Sequence, residues 1–167
     1  MWYVLWTDVG KEEKTKTHIK NHVDSSLYNH CKILYRKKRH FYRGESEIVT
    51  LLLFPGYIFI ETNDVKNFAE AVNQFPGRNI VLQTDNLFCP IRKEEEFLLT
   101  DLADDKGIIE MSRGYIDNNQ VVVTDGPLKG YDKYIKKIIK RNSTAILEMT
   151  VFDKKVEYSL GLDIIDK

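Results

Sequence analysis

The chain has 167 residues, 43% of them hydrophobic and 30% charged, which is enough apolar material for one medium core or two small ones. Its 25 Lys and Arg offset 25 Asp and Glu, and a formal charge of zero argues against a globally basic nucleic-acid coat, so any such contact must be local. Met1 leads straight into Trp2-Tyr3-Val4-Leu5-Trp6 without a basic leader, and no apolar run approaches the roughly 18 residues of a membrane span. The expectation is a cytoplasmic protein with no membrane partner. Cys31 and Cys89 lack a CxxC spacing and are expected as reduced thiols rather than a disulfide or a metal site.

Trp2–Thr7 is aromatic and β-branched and reads as a buried strand. In Lys11–Asp24 the positions Thr15, Ile19 and Val23, then Leu27, fall four apart on one helical stripe, with Glu12 and Glu13 at the positive end of the helix dipole. Ile33–Arg43 is basic and loosely alternating, and Ile48–Phe54 and Tyr57–Glu61 read as further strands. Asn63 or Asp64 can cap a second helix whose face is Val65, Phe68, Ala71, Val72 and Phe75, ended by Pro76-Gly77. Ile80–Leu82 is a short strand, and Pro90-Ile91 introduces a third helix with Glu94, Glu95 and Glu96 near its start and Phe97, Leu98 and Leu102 inward. Ala103–Gly107 is acidic, polar and glycine-terminated, as a linker would be. Beyond it Gln120–Thr124, Tyr134–Lys140, Thr144–Phe152, Lys155–Leu160 and Leu162–Ile165 are short strands joined by tight turns, the pattern of a small barrel. The fold class is α+β: an α/β sandwich domain over 1–105, a linker over 106–112 and a small β-barrel over 113–167.

Two turn motifs punctuate this pattern. Phe54-Pro55-Gly56-Tyr57 and Asp125-Gly126-Pro127-Leu128-Lys129-Gly130 each put Pro and Gly where a strand must turn sharply. The first sets two aromatics beside a turn, and the second opens a lysine-rich strand pair. Trp2-Tyr3-Val4, Phe54-Pro55-Gly56-Tyr57, Pro90-Ile91 and Asp125-Gly126-Pro127-Leu128, in this order, resemble NusG-type transcription elongation factors over essentially the whole chain. Gly126-Pro127-Leu128-Lys129-Gly130, Ile135-Lys136-Lys137-Ile138 and Leu160-Gly161-Leu162-Asp163-Ile164-Ile165 look most like the LoaP branch of specialised paralogs. One departure is Lys133, which stands about where the KOW pattern usually has a glycine.

The resemblance implies a NusG-type N-terminal domain and a C-terminal SH3-like KOW barrel, acting in processive antitermination of selected long operons. It implies docking on the RNA polymerase clamp through Trp6, Phe54, Pro55, Gly56 and Tyr57, the alternative for these aromatics being ordinary core positions. Rigid aromatics suit docking because they bring large contact area at low entropic cost. In the basic stretch from Lys32, the residues Arg36, Lys38, Arg39 and Arg43, interleaved with Tyr35, Phe41 and Tyr42, would lie near upstream or non-template DNA. A solvated hairpin face balanced by Glu45 and Glu47 is the competing account. Lys129, Lys133, Lys136, Lys137, Lys140 and Arg141 stand against one local acid, Asp132, and suit a nascent RNA hairpin. Neighbours on a strand face opposite sides, so the six cannot all share one surface. A general factor, whose barrel contacts a termination factor or a ribosomal protein, is the nearest alternative, and a structural KOW protein of a ribonucleoprotein the next. Nothing points to an enzyme or a cofactor: His18 and His22 lack a third ligand, and there is no phosphate loop or activated nucleophile. A monomer is expected.

Overall fold

The computed structural model describes residues 1–74, 88–151 and 153–166. In chain order its elements are β1 (Trp2–Trp6), α1 (Glu12–His22), β2 (His30–Lys32), β3 (Tyr35–Tyr42), β4 (Glu45–Leu52), β5 (Tyr57–Glu61), α2 (Val65–Asn73), β6 (Phe88–Pro90), β7 (Ile108–Ile109), β8 (Ser112–Asp117), β9 (Gln120–Asp125), β10 (Lys137–Ile139), β11 (Thr144–Val151) and β12 (Lys154–Ile164). They pack as two compact units: Met1–Leu34 with Phe54–Glu96, and Tyr35–Leu53 with Phe97–Lys167.

The first unit is built on a four-stranded antiparallel sheet ordered β2-β5-β1-β6. Its two central strands carry the apolar runs of the sequence, and Val4, Leu5, Ile58, Phe59 and Ile60 are fully buried. The stripe of α1 is buried at Thr15 and Ile19, with Val23 just beyond its end, while Leu27 is half-buried in a 3-10 turn. Asp64 caps α2 by accepting from the Asn67 N–H at 3.1 Å, and Phe68 and Val72 are the buried members of its face. Phe75, Pro76-Gly77 and the strand expected at Ile80–Leu82 lie outside the described residues. The third helix is replaced by a 3-10 turn at Lys93–Glu95 and, in the second unit, a five-residue π-type turn at Leu98–Leu102. Leu98, Leu99 and Leu102 are still the residues that this turn buries.

The second unit joins a three-stranded sheet, β4-β3-β7, to a five-stranded one ordered β10-β11-β12-β8-β9. Ala103–Gly107 is an ordered turn, because the Asp104 carboxylate accepts from the Lys106 and Ile108 N–H groups, each at 2.9 Å. Chain then continues into β7, which runs parallel to Tyr35 and Arg36 of β3. By packing the β3–β4 hairpin therefore belongs to the second unit. The five-stranded sheet differs from the expected barrel. Its strand order is linear, and among the described residues no ladder joins its edge strands β9 and β10, so closure is not seen. The expected strand from Tyr134 shrinks to β10 because Asp132–Tyr134 form a 3-10 turn first. The strands expected at Lys155–Leu160 and Leu162–Ile165 are one continuous strand, β12. Gly161 lies inside it for steric reasons: a Cβ there would fall 2.5 Å from the Lys37 carbonyl oxygen, so only glycine lets β3 pass this close.

Candidate functional site

Trp6 and Tyr57 face each other across the β1–β5 ladder, and Phe54-Pro55-Gly56 leads into Tyr57. Phe54 is 4% exposed, stacked on Tyr57 at 5.7 Å and edge-on to Phe59 at 5.8 Å. Tyr57 is half-buried, and this burial pushes its phenol pKa up. Trp6 is 55% exposed, while Pro55 is exposed and Gly56 is buried. The motif thus divides its work: Phe54 anchors the turn in the core, and Trp6, Pro55 and part of Tyr57 form an outward ledge. Gly56 has φ +82°, and a Cβ on it would fall 2.9 Å from the Thr7 carbonyl oxygen and 3.3 Å from the Trp6 Nε1.

Glu12 fixes this ledge, a role that the sequence reading did not assign to it. Its side chain turns inward, 5% exposed, where Oε1 accepts from the Gly56 N–H at 2.7 Å and Oε2 from the Gly10 N–H at 2.9 Å. Burial alone would raise the Glu12 pKa, but backbone N–H bonds from Glu12 itself, Gly56 and Gly10 outweigh it, and the net shift is downward. An acid in the first helical turn ordinarily reads as dipole complement, so only the tertiary fold reveals the clamp. The Gly56 carbonyl accepts from the Thr7 N–H at 2.8 Å, which closes the turn from the other side.

The hairpin cations face several ways. Arg36 donates from Nη1 to the Ser159 carbonyl at 2.5 Å and also to its hydroxyl, and burial lowers its pKa. Arg39 forms a forked pair with Asp163, Nε to Oδ1 at 3.0 Å and Nη2 to Oδ2 at 2.7 Å. This hydrogen-bonded pairing raises the Arg39 pKa and lowers that of Asp163. Lys38 is half-buried opposite Val49, and Arg43 is exposed at the hairpin tip with its guanidinium 5.2 Å from the Tyr42 ring. The hairpin also exposes Phe41 and Tyr42.

The C-terminal cations separate into two groups. Lys129 is exposed in the Gly126–Gly130 turn, and Lys140 and Arg141 are exposed in a 3-10 turn at the far end of β10. Lys133, Lys136 and Lys137 instead line a cleft of about 570 Å³ beside β9 and β10. Lys133 sits 5.2 Å from the Tyr134 ring, and Lys136 pairs with Glu148 at 2.5 Å. Lys133 needs no left-handed backbone, since the positive φ values fall at Gly126 and Gly130 instead. Ser112 holds the turn by accepting from the Leu128 N–H at 2.9 Å. Phe97 stacks on Tyr131 at 4.9 Å and on Tyr134 at 4.6 Å, and the Tyr131 hydroxyl donates to Asp101, which pushes its phenol up to about 12. Cys31 and Cys89 are not joined in a disulfide, and burial pushes the Cys31 thiol up to about 12. Among the described residues no cluster of three metal-ligating side chains occurs, and no helix is long and apolar enough to cross a membrane.

Residues 1–99 match the model of the family described as "Transcription termination factor nusG", and the chain belongs to the NusG family of transcription factors. A solved structure described as "Domain interaction in Thermotoga maritima NusG" is similar in fold, with a TM-score of 0.51 and 19% identity over 96% of this chain and 92% of that one. No curated protein matches the chain.

Proposed function

We infer that this chain is a specialised, LoaP-like elongation factor that docks on RNA polymerase and promotes processive antitermination of selected long operons. The observation that carries the docking half is the ledge itself, an exposed Trp6 beside Tyr57 on a turn that Glu12 holds rigid. A preorganised aromatic patch binds without first ordering its side chains, which is the property of an interface hot spot. Binding that favours the closed clamp raises processivity by its differential affinity for that state. The five-stranded sheet is read as an SH3-like KOW module, and Lys129, Lys140 and Arg141 as its exposed cations toward a nascent RNA hairpin. The hairpin tip, with Arg43 and Tyr42, is the part of β3–β4 best disposed toward upstream or non-template DNA.

The test is transcription by purified polymerase core through a terminator placed behind a structured leader, with and without the full chain. Read-through that requires both the protein and the leader hairpin supports the reading. Read-through without the leader, or stimulation of termination, would instead support a general factor.

A further inference from the structure

We propose that the cleft between β9 and β10 is a docking site for an extended acidic peptide, which adds to the β9 edge as a further strand. β9 ends the five-stranded sheet, so one side of it has no strand neighbour among the described residues. Its residues alternate. Val123 donates its N–H away from β8, to the Asp132 Oδ2 at 2.9 Å, and by the period of two Val121 turns its N–H and carbonyl the same way. Val121 lines the cleft, as do Ile116, Ile135 and Ile138. An arriving strand would thus meet a donor–acceptor pair on its edge and apolar side chains for every second residue.

The charge of the cleft decides which peptide. Lys133, Lys136 and Lys137 line it. Lys136 is already paired with Glu148 at 2.5 Å, so Lys133 and Lys137 supply the charge toward a ligand. The carboxylate in the lining, Asp132, has its Oδ2 engaged by the Val123 N–H. Acids on alternate positions of the incoming strand would face these lysines. A nucleic-acid strand fits less well, because a phosphodiester backbone has no N–H to offer the outward Val121 carbonyl, whereas a peptide strand matches both its N–H and its carbonyl. The same arrangement explains why Lys133, Lys136 and Lys137 stand apart from Lys129, Lys140 and Arg141, the cations assigned to RNA above.

The experiment titrates the full chain with a fluorescent peptide of roughly eight alternating valine and glutamate residues, long enough to span the β9 edge. Fluorescence anisotropy gives affinity, and NMR amide exchange reports on Val121. Saturable binding with a protected Val121 amide is the expected result. Lys137→Glu should weaken it about tenfold by placing like charges together, and Val121→Pro should abolish it by removing the edge donor at a position where an edge strand tolerates proline. Lys137→Glu keeps the test informative should Val121→Pro fail to fold. Absence of peptide binding, or binding that leaves the Val121 amide unprotected, overturns the proposal. So does a leader-RNA hairpin that protects Val121 where the peptide does not, since the cleft would then be a nucleic-acid site. Polymerase binding by the same preparations, measured separately, reports on the docking ledge and not on this cleft.

Discussion

Two glycine-bearing turns, one in each compact unit, solve the same problem with different chemistry. Gly56 and Gly126 both have positive φ, and a Cβ on either would strike neighbouring backbone. Each turn is held by a buried side chain that accepts a backbone N–H. At Gly56 the acceptor is the Glu12 carboxylate, whereas at Leu128 it is the Ser112 hydroxyl. A charged acceptor forms the stronger bond but depends on its own ionisation, and a neutral one is weaker and indifferent to pH. The aromatic ledge is therefore the more tightly fixed and the more acid-sensitive of the two.

The largest effect is expected at Gly126. In Gly126→Ala the new Cβ would fall 2.6 Å from both the Met111 carbonyl oxygen and the Ser112 Cα, at φ +91°. A loss of about 3 kcal/mol is expected in urea unfolding, combining overpacking with backbone strain. Gly56→Ala should cost somewhat less, since its nearest atom stands at 2.9 Å and the indole beside it can shift. A smaller loss at Gly126 than at Gly56 would reverse the steric ranking.

Next comes the clamp. Glu12→Ala strands two amides, Gly10 and Gly56, that now donate to a carboxylate, and should cost about 2–3 kcal/mol. Because the Glu12 pKa is lowered on folding, its contribution is fully present above the ordinary value of 4.5 and is lost as pH falls through the lowered folded value. Trp2 and Trp6, both on β1, are the chain's two tryptophans, so indole fluorescence follows the first unit. Acid unfolding seen by that signal should flatten in Glu12→Gln. An unchanged acid profile would remove Glu12 as its cause. Ser112→Ala should cost only about 1 kcal/mol, independent of pH between 4 and 8. A pH-dependent loss there would show that the two turns do not differ as described.

Much of this was legible in the sequence, and the parts that were not share a cause. The α1 stripe, the Asp64 cap and the Phe54–Tyr57 turn are local patterns, each written in a few neighbouring residues. Strand β8 was passed over because Ser112-Arg113-Gly114-Tyr115-Ile116-Asp117 neither alternates nor runs apolar. Asn118 and Asn119, at φ 49° and 64°, held the overlooked signal, a two-residue hairpin turn of the kind Asn adopts. The parallel ladder of β3 with β7 joins residues some 70 positions apart, and the Arg36–Ser159 and Arg39–Asp163 bonds span more than 120. Such pairings depend on the whole fold, so a basic stretch could not reveal that two of its arginines are spent on internal bonds. The same holds for Glu12, whose inward turn follows from where Gly56 lies.

The most direct test of the ledge as a docking surface sets Trp6→Ala against the parent chain in two measurements on one preparation. These are affinity for purified RNA polymerase core and the urea midpoint followed by Trp2 fluorescence. At 55% exposure, Trp6 lies outside the buried core of its unit. Binding should weaken by about 1–3 kcal/mol while the midpoint stays in place. Unchanged affinity for the polymerase, or a midpoint that falls in step with it, would contradict the account.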